Sequence, residues 1–466
     1  MQKKFLIIGL FVLLHSISFA QEVISYPVPA SLIYDIHNDD YSVQVRNIGG
    51  VWQDLYEYSV QVDMDNPQDA SMAQFDFSGT VEVKVRLNNS ILNQVKIRPA
   101  IANIQPVISG NTFTFILNEP KKLSIETNGD TRRNLHLFAN PIETDIPDPK
   151  DPNVIYFGPG VHKPGDLPGN VFVIPSNKTV YLAGGAILFG KLLCNRVENV
   201  NIRGRGIIYQ AVRGVEITHS KNISVEGITV VNPSHYSIYL GESRDVKIDN
   251  FKSFSCGSWT DGIDMMSCSD VYIEDVFLRN SDDCIAIYGH RWGFYGGSKN
   301  VKVNNAILWA DVAHPINIGL HGDTRYKGDV ISDIQFTEVD ILEHDEDDRN
   351  AQGCISINAG DMNLVKNLHF ENIRIDDFEE GQLVNLRVVE HPKYTSGPGR
   401  GVENVTFKNI SYYGNSDNGS GFSGFDSLCI VKHITFENLQ INGKKILNAG
   451  SANFHIGKFV ENIIFK

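Results

Sequence analysis

Cysteine is scarce in this chain: Cys194, Cys256, Cys268, Cys284, Cys354 and Cys429 are the only six in 466 residues, and none has CxxC spacing. So few cannot form a disulfide scaffold at this length, and the spacing excludes a zinc-ribbon type of site. Most of the six are expected as small core residues, although Cys256, Cys268 and Cys284 are close enough along the chain to pair in an oxidising compartment. Positive charge is also short. The 41 Lys and Arg against 55 Asp and Glu leave a formal net charge of -14. Phosphate binding needs a basic face, so no nucleic-acid partner is expected. No amphipathic helix of ordinary length interrupts the chain, which excludes leucine-rich-repeat and helical solenoids. Metal motifs are missing too. The acidic run Glu343 to Asp348 lacks the glycine and spacing of a calcium loop and reads as a solvated loop, so no metal or cofactor is expected.

What is present begins with a leader. Lys3 and Lys4 precede a largely apolar run from Phe5 to about Phe19, and Ser18, Phe19 and Ala20 come just before Gln21. This is a secretory signal pattern over residues 1–20, too short for a membrane span, and it predicts a secreted or periplasmic protein. From residue 197 a phrase then recurs: Asn or Asp, two alternating apolar residues, then Asn, Asp or Gly. Its anchors are Asn199, Asn222, Asp245, Asp270, Asn300, Asp333, Asn367, Asn404, His433 and Asn462, separated by steps of 23 to 37 residues. Short alternating runs at such a period make a solenoid in which each repeat is one coil of strands. The fold class is therefore all-β, a right-handed parallel β-helix whose flat face suits an extended ligand.

Residues 21–141 differ. Alternating segments such as YSVQVRN, AQFDFSGTVEVKVRL and KKLSIETNG are separated by turn signals NN, SGN and NGD, which predicts an antiparallel β-sandwich. Residues 142–154, rich in proline and acid, read as a linker, and 155–466 as the β-helix.

Three carboxylates stand out. Asp261 lies in TDGID, and Asp282 and Asp283 open SDDCIAI. The 21 residues from Asp261 to Asp282 approximate the local repeat, so the two are expected to stack on neighbouring coils. Clustered like charges raise at least one pKa, leaving an acid protonated near working pH beside ionised carboxylates. Hydrolysis of a glycosidic bond needs that division of labour. His314 in AHPINIG is about one coil past Asp283 and is placed to hold a carboxyl; His290, just after the paired aspartates, competes for that role.

TDGID, SDDCIAI and AHPINIG, in this order on a solenoid, resemble the polygalacturonase family (glycoside hydrolase family 28), whose patterns are NTDGID, a GDDC-type pair and GHG. LSIETNGDTRRNLHLFANP, IYFGPGVHKPG and TVYLAGGAILFGKL look like the dextranase and isopullulanase family (glycoside hydrolase family 49), which joins a β-sandwich to the same kind of β-helix. Both families are inverting hydrolases of α-linked polysaccharides. The resemblance implies Asp282 as general acid, Asp261 and Asp283 as the groups holding water, and His314 as the site histidine. Where the first family carries the basic RIK motif, this chain reads Gly353 to Asn358 without Arg or Lys, and Ala286 stands where the second usually has Lys. The resemblance thus implies a glycosidase without naming its sugar.

For substrate contacts, Trp259, His290, Arg291, Trp292, Asn317 and Arg325 are the candidates, with Trp309 a further ring for sugar stacking. A monomer acting on a polysaccharide or oligosaccharide is expected. Two other readings share these features. A polysaccharide lyase would use calcium and a basic residue, and a non-catalytic carbohydrate-binding solenoid would keep the groove alone.

Overall fold

A computed structural model describes residues 22–165, 169–325, 327–416 and 418–466; the leader read over 1–20 lies outside the described residues. Two stacked sheets form the N-terminal part. One contains Glu22–Ile24, Gln68–Ser78, Asp130–Pro141, Lys121–Thr127, Val95–Arg98 and Tyr58–Val62; the other contains Gln53–Asp54, Tyr41–Asn47, Val81–Leu87, Thr112–Leu117 and Val107–Ser109. Their inner faces bury alternate residues such as Val43, Val45, Val83, Val85, Phe75 and Leu137. Asn128 and Gly129, at φ 57° and 82°, turn one hairpin, as left-handed residues must in a two-residue loop. The sandwich is not wholly antiparallel as expected: Asp130–Pro141 runs parallel to Gln68–Ser78.

From Val154 onward the chain winds through parallel strands stacked into a 19-stranded and an 11-stranded sheet. The alternation seen in the sequence points one residue of each pair inward, and Val246, Val271, Val301, Ile334, Leu368, Val405 and Ile434 fill one core. The polar anchors have a backbone cause. All ten, from Asn199 to Asn462, adopt positive φ between 53° and 60°. Asn and Asp tolerate that left-handed corner better than other residues with a side chain. Their amides also stack: Asn222 donates to Asn199 at 2.8 Å, Asn300 to Asp270 at 2.6 Å, and Asn404 to Asn367 at 3.2 Å. In the later coils the motif phenylalanines Phe336, Phe370, Phe407, Phe436 and Phe465 form a column with centroids 4.7–5.5 Å apart. Cys256, Cys268 and Cys284 form no disulfide, so the pairing envisaged for them is not made.

The two parts share an apolar seam. Tyr58, Val60, Met72 and Phe138 of the sandwich pack on Ile207, Val231, Phe254 and Phe277 of the solenoid. This side of the coils faces the sandwich, and the 11-stranded sheet carries the cleft.

Candidate active site

Three successive strands of the 11-stranded sheet set the geometry. Ile263–Met266, Ile285–Tyr288 and Ile316–Gly319 pair in register, with Ile263 opposite Ile285 and Ile285 opposite Ile316. Two residues before those isoleucines stand Asp261, Asp283 and His314, on three adjacent rungs. Asp283, not Asp282 as the 21-residue spacing suggested, is thus the rung neighbour of Asp261, and Asp282 is offset by one residue. Gly262 is required by the stacking, because a Cβ there would lie 2.4 Å from the carbonyl oxygen of Cys284.

Asp261, Asp282 and Asp283 converge. One carboxylate oxygen from each lies within 4.8 Å of the others, the one such group among the described residues with the spacing to share a cation. Their surroundings differ sharply. Burial alone would raise Asp283, but the charge of His314, its ring hydrogen bond and a bond from Asn317 bring Asp283 below the ordinary carboxylate range. His314 Nδ1 lies 2.7 Å from Asp283 Oδ1, and Asn317 Nδ2 donates to Oδ2 at 2.7 Å. Asp282 accepts from the backbone N–H of Trp259 at 2.8 Å and from that of Asp283 at 3.0 Å. Burial and the Asp283 charge nevertheless push Asp282 up to about 6. Asp261 is raised well above its usual value, by burial first and then by the charge of Asp264.

His314 is clamped as a cation. Nε2 lies 2.7 Å from the carbonyl oxygen of Ala351, which can only accept, and Nδ1 faces a carboxylate, so both nitrogens carry protons. Burial opposes this, but Asp283 outweighs it and the pKa rises to about 9. Behind it His344 is neutral: burial and the His314 charge push it down to about 3. His344 Nε2 accepts from the backbone N–H of Gly353 at 3.1 Å and Nδ1 meets the carbonyl of Ala313 at 2.7 Å, which fixes the proton on Nδ1.

The cleft above the aspartates takes in Trp259, Arg291 and Asn317 together with His314. Trp292, in the loop after Ile285–Tyr288, is outside the cleft lining and stacks on Tyr236 at 6.0 Å with Arg213 over its ring. His290 and Arg325 lie outside the cleft lining. The His290 ring packs against Tyr295 at 4.4 Å, and Arg325 pairs with Asp323 at 3.0 Å. Trp309 is buried between the guanidinium groups of Arg98 and Arg279, which removes it as a sugar platform.

Several residues in or beneath the cleft were not singled out from the sequence. Asp264 shares an outward column with Ala286 and Asn317, is fully buried, and neither carboxylate oxygen has an N–H donor; its nearest cation is Arg291 at 3.8 Å. The TDGID phrase contained Asp264, but strand parity around Gly262 was needed to turn it outward. The 343–348 run is not simply a solvated loop. His344 is buried, and Glu346 and Asp348 line the cleft with Asn350 and Ala351. His321, His391 and Tyr394 arrive from later coils, with no local motif to announce them.

Comparison with known proteins agrees with this architecture. The chain is 23% identical over 252 residues to "Probable endopolygalacturonase D" of Neosartorya fischeri, covering 53% of this chain and 46% of that protein. It is 24% identical over 241 residues to "Exopolygalacturonase B" of Aspergillus niger, covering 49% of this chain and 52% of the relative. The chain therefore spans about half the length of the curated relatives it matches. Among solved structures, Dex49A from Penicillium minioluteum superposes with a TM-score of 0.68 at 16% identity, covering 95% of this chain and 96% of that one. The Yersinia enterocolitica family 28 exopolygalacturonase covers 83% of this chain and 96% of its own, with a TM-score of 0.51 at 12% identity. These superpositions show a common fold. The family model for glycosyl hydrolases family 28 matches residues 198–456, over half of the sequence and all three aspartate-bearing rungs, and the chain belongs to that family.

Proposed function

We propose that the protein is an exported glycoside hydrolase that cleaves α-glycosidic bonds of a polysaccharide by general acid/base catalysis with inversion. The observation that carries this is the split of protonation within one cluster: Asp282 is held near 6 beside Asp283, which is held below the ordinary range. In this reading Asp282 donates its proton to the leaving oxygen, while Asp283 and Asp261 hold the attacking water. Asp282 also lies within 4.8 Å of Asp261 and Asp283. An acid-to-base separation of about 5 Å is by itself the retaining spacing, so inversion rests on the resemblance to inverting families and not on this distance. Asp261 and Asp283 stand side by side on adjacent rungs of one wall. Their oxygens, no more than 4.8 Å apart, accommodate one water accepting guidance from both. Relatives named as polygalacturonases support a polysaccharide substrate, and the α linkage is what the family resemblance implies. Export rests on the leader pattern at residues 1–20.

The test is to incubate purified protein with dextran, pullulan, homogalacturonan and algal glycans, following reducing ends and the product anomer by proton NMR. New reducing ends with the inverted anomer are expected. A retained anomer would overturn the water roles of Asp261 and Asp283. The spacing that lets three oxygens share a cation also suits a calcium-dependent lyase; an unsaturated, ultraviolet-absorbing product lost on chelation would replace the hydrolase reading with that one. Binding of oligosaccharides with no product from any glycan would leave a non-catalytic solenoid.

A further inference from the structure

One column of the solenoid faces the sandwich. Reading along it, Tyr209 pairs with Val231, Val231 with Phe254, Phe254 with Arg279, and Arg279 with Trp309. Apolar side chains fill the column until Arg279, a fully buried cation. Burying a charge where Phe254 shows that an apolar ring fits is unfavourable for stability alone. The interruption falls in the coil that carries Asp282 and Asp283.

Arg279 is bonded so that it ties two strand ends together. Its Nε and Nη2 make a forked contact with Asp311, at 3.0 and 2.8 Å, at the end of the next coil. Asp282 follows Arg279 by three residues, and His314 follows Asp311 by three. The pair therefore clamps the two segments that must bring Asp283 and His314 together. The rest of the clamp comes from the sandwich. Arg279 Nη1 donates to Asn134 Oδ1 at 2.8 Å and contacts His136 Nε2 at 3.1 Å. Burial and the neighbouring arginines keep His136 neutral, so its ring nitrogen can accept. From the 63–66 turn, the N–H of Asp63 donates to Asp311 at 3.2 Å and that of Met64 donates to Ser281 Oγ at 3.0 Å, next to Asp282.

We propose that Arg279 and Asp311 are positioning residues whose clamp is completed by Asn134, His136 and the 63–64 turn, so that the sandwich is a working part of the active site rather than an appended module. The inference rests on the hydrolase reading for its kinetic arm only. A guanidinium bonded to Asp311 on one side and Asn134 on the other is held in one orientation, and in this proposal it fixes the strand ends that carry Asp283 and His314.

The test compares His136→Leu, which removes an acceptor, with His136→Gln, which keeps one. In the Leu variant kcat is expected to fall about tenfold to a hundredfold with KM within about twofold, the response to misplaced catalytic groups rather than lost binding. The low-field imidazole proton signal of His314, read by NMR without any substrate, is expected to move, and Gln restores both. A lowered Tm with unchanged kcat and an unchanged His314 signal would show a merely structural seam, as would a Gln variant no better than Leu. If His136→Leu does not fold, Ser281→Ala, which removes the acceptor of the Met64 N–H, is read by the same two measurements, and no change in either overturns the proposal. Wild-type protein inert on every glycan would sink the hydrolase reading while leaving the NMR comparison intact.

Discussion

Asp283 and His314 occupy the same position on adjacent rungs of the solenoid and meet at 2.7 Å, carboxylate to ring nitrogen. Each moves the other's titration in opposite directions: Asp283 goes down and His314 rises to about 9. The contact keeps Asp283 ionised, while Asp282, the next residue in the chain, and Asp261 on the neighbouring rung are both raised.

Asp282→Asn is expected to lower kcat by about a hundredfold to ten-thousandfold, the usual contribution of a general acid, with far-ultraviolet circular dichroism unchanged. Steady-state kinetics on the best glycan substrate checks it. A variant with wild-type turnover removes Asp282 from the mechanism.

If Asp282 is the general acid proposed, activity is expected to decline as pH rises through about 6, where Asp282 loses its proton. His314→Gln takes away the cation that holds Asp283 ionised, so burial reasserts itself and the acid limb moves to higher pH. The pH profile of kcat/KM for both proteins reports this. An acid limb in the same place would separate His314 from the titration of Asp283.

Stability should show the same pair. The folded pKa of His314 lies above its unfolded value of 6.5, so its stabilisation is fully present below about 6.5 and is lost as pH rises through about 9. Asp282, raised to about 6, contributes in the same direction at lower pH, its stabilisation being lost between about 4 and 6. Tm measured between pH 6.5 and 9 should fall as pH rises, and His314→Gln should flatten that fall; below 6.5 the buried neutral His136 and His344 act with the opposite sign.

Burial raises Asp264 well above its ordinary value too, and Asp264→Asn removes the group whose ionised form, after burial, does most to raise Asp261. Asp261 is expected to titrate at lower pH in a carboxyl NMR titration, while the acid limb assigned to Asp283 stays in place and kcat survives. Loss of turnover equal to that of Asp282→Asn would mean that Asp264 acts as an ionised group.

Trp259 is 64% exposed, with its indole at the cleft and its backbone N–H donating to Asp282. Trp259→Ala keeps the N–H and removes the ring. KM should rise about threefold to tenfold, the worth of one stacking contact, with Tm nearly unchanged. An unaltered KM excludes the ring from substrate binding.

The coils and the chemistry were legible to different depths. The anchors announced themselves because a left-handed corner recurs once per coil, and few residues other than Asn, Asp and Gly accept it. The same local rule made the aspartates visible, since TDGID and SDDC are short phrases. Other features involve distant partners and leave no local trace. The parallel pairing of Asp130–Pro141 with Gln68–Ser78 is a choice of neighbour between strands more than fifty residues apart. Trp309 looked like a sugar platform until the sandwich covered it with Arg98.

By itself, then, the order of residues determined that this chain would coil into stacked strands and would carry Asp261, Asp282, Asp283 and His314 on consecutive turns, because backbone preference and alternation act over a few residues. Which carboxyl keeps a proton was decided only in three dimensions. Burial, the offset of Asp282 from the Asp261–Asp283–His314 rung column, and the carbonyl of Ala351 arriving 37 residues later all act through space, where low polarity makes small differences in distance count.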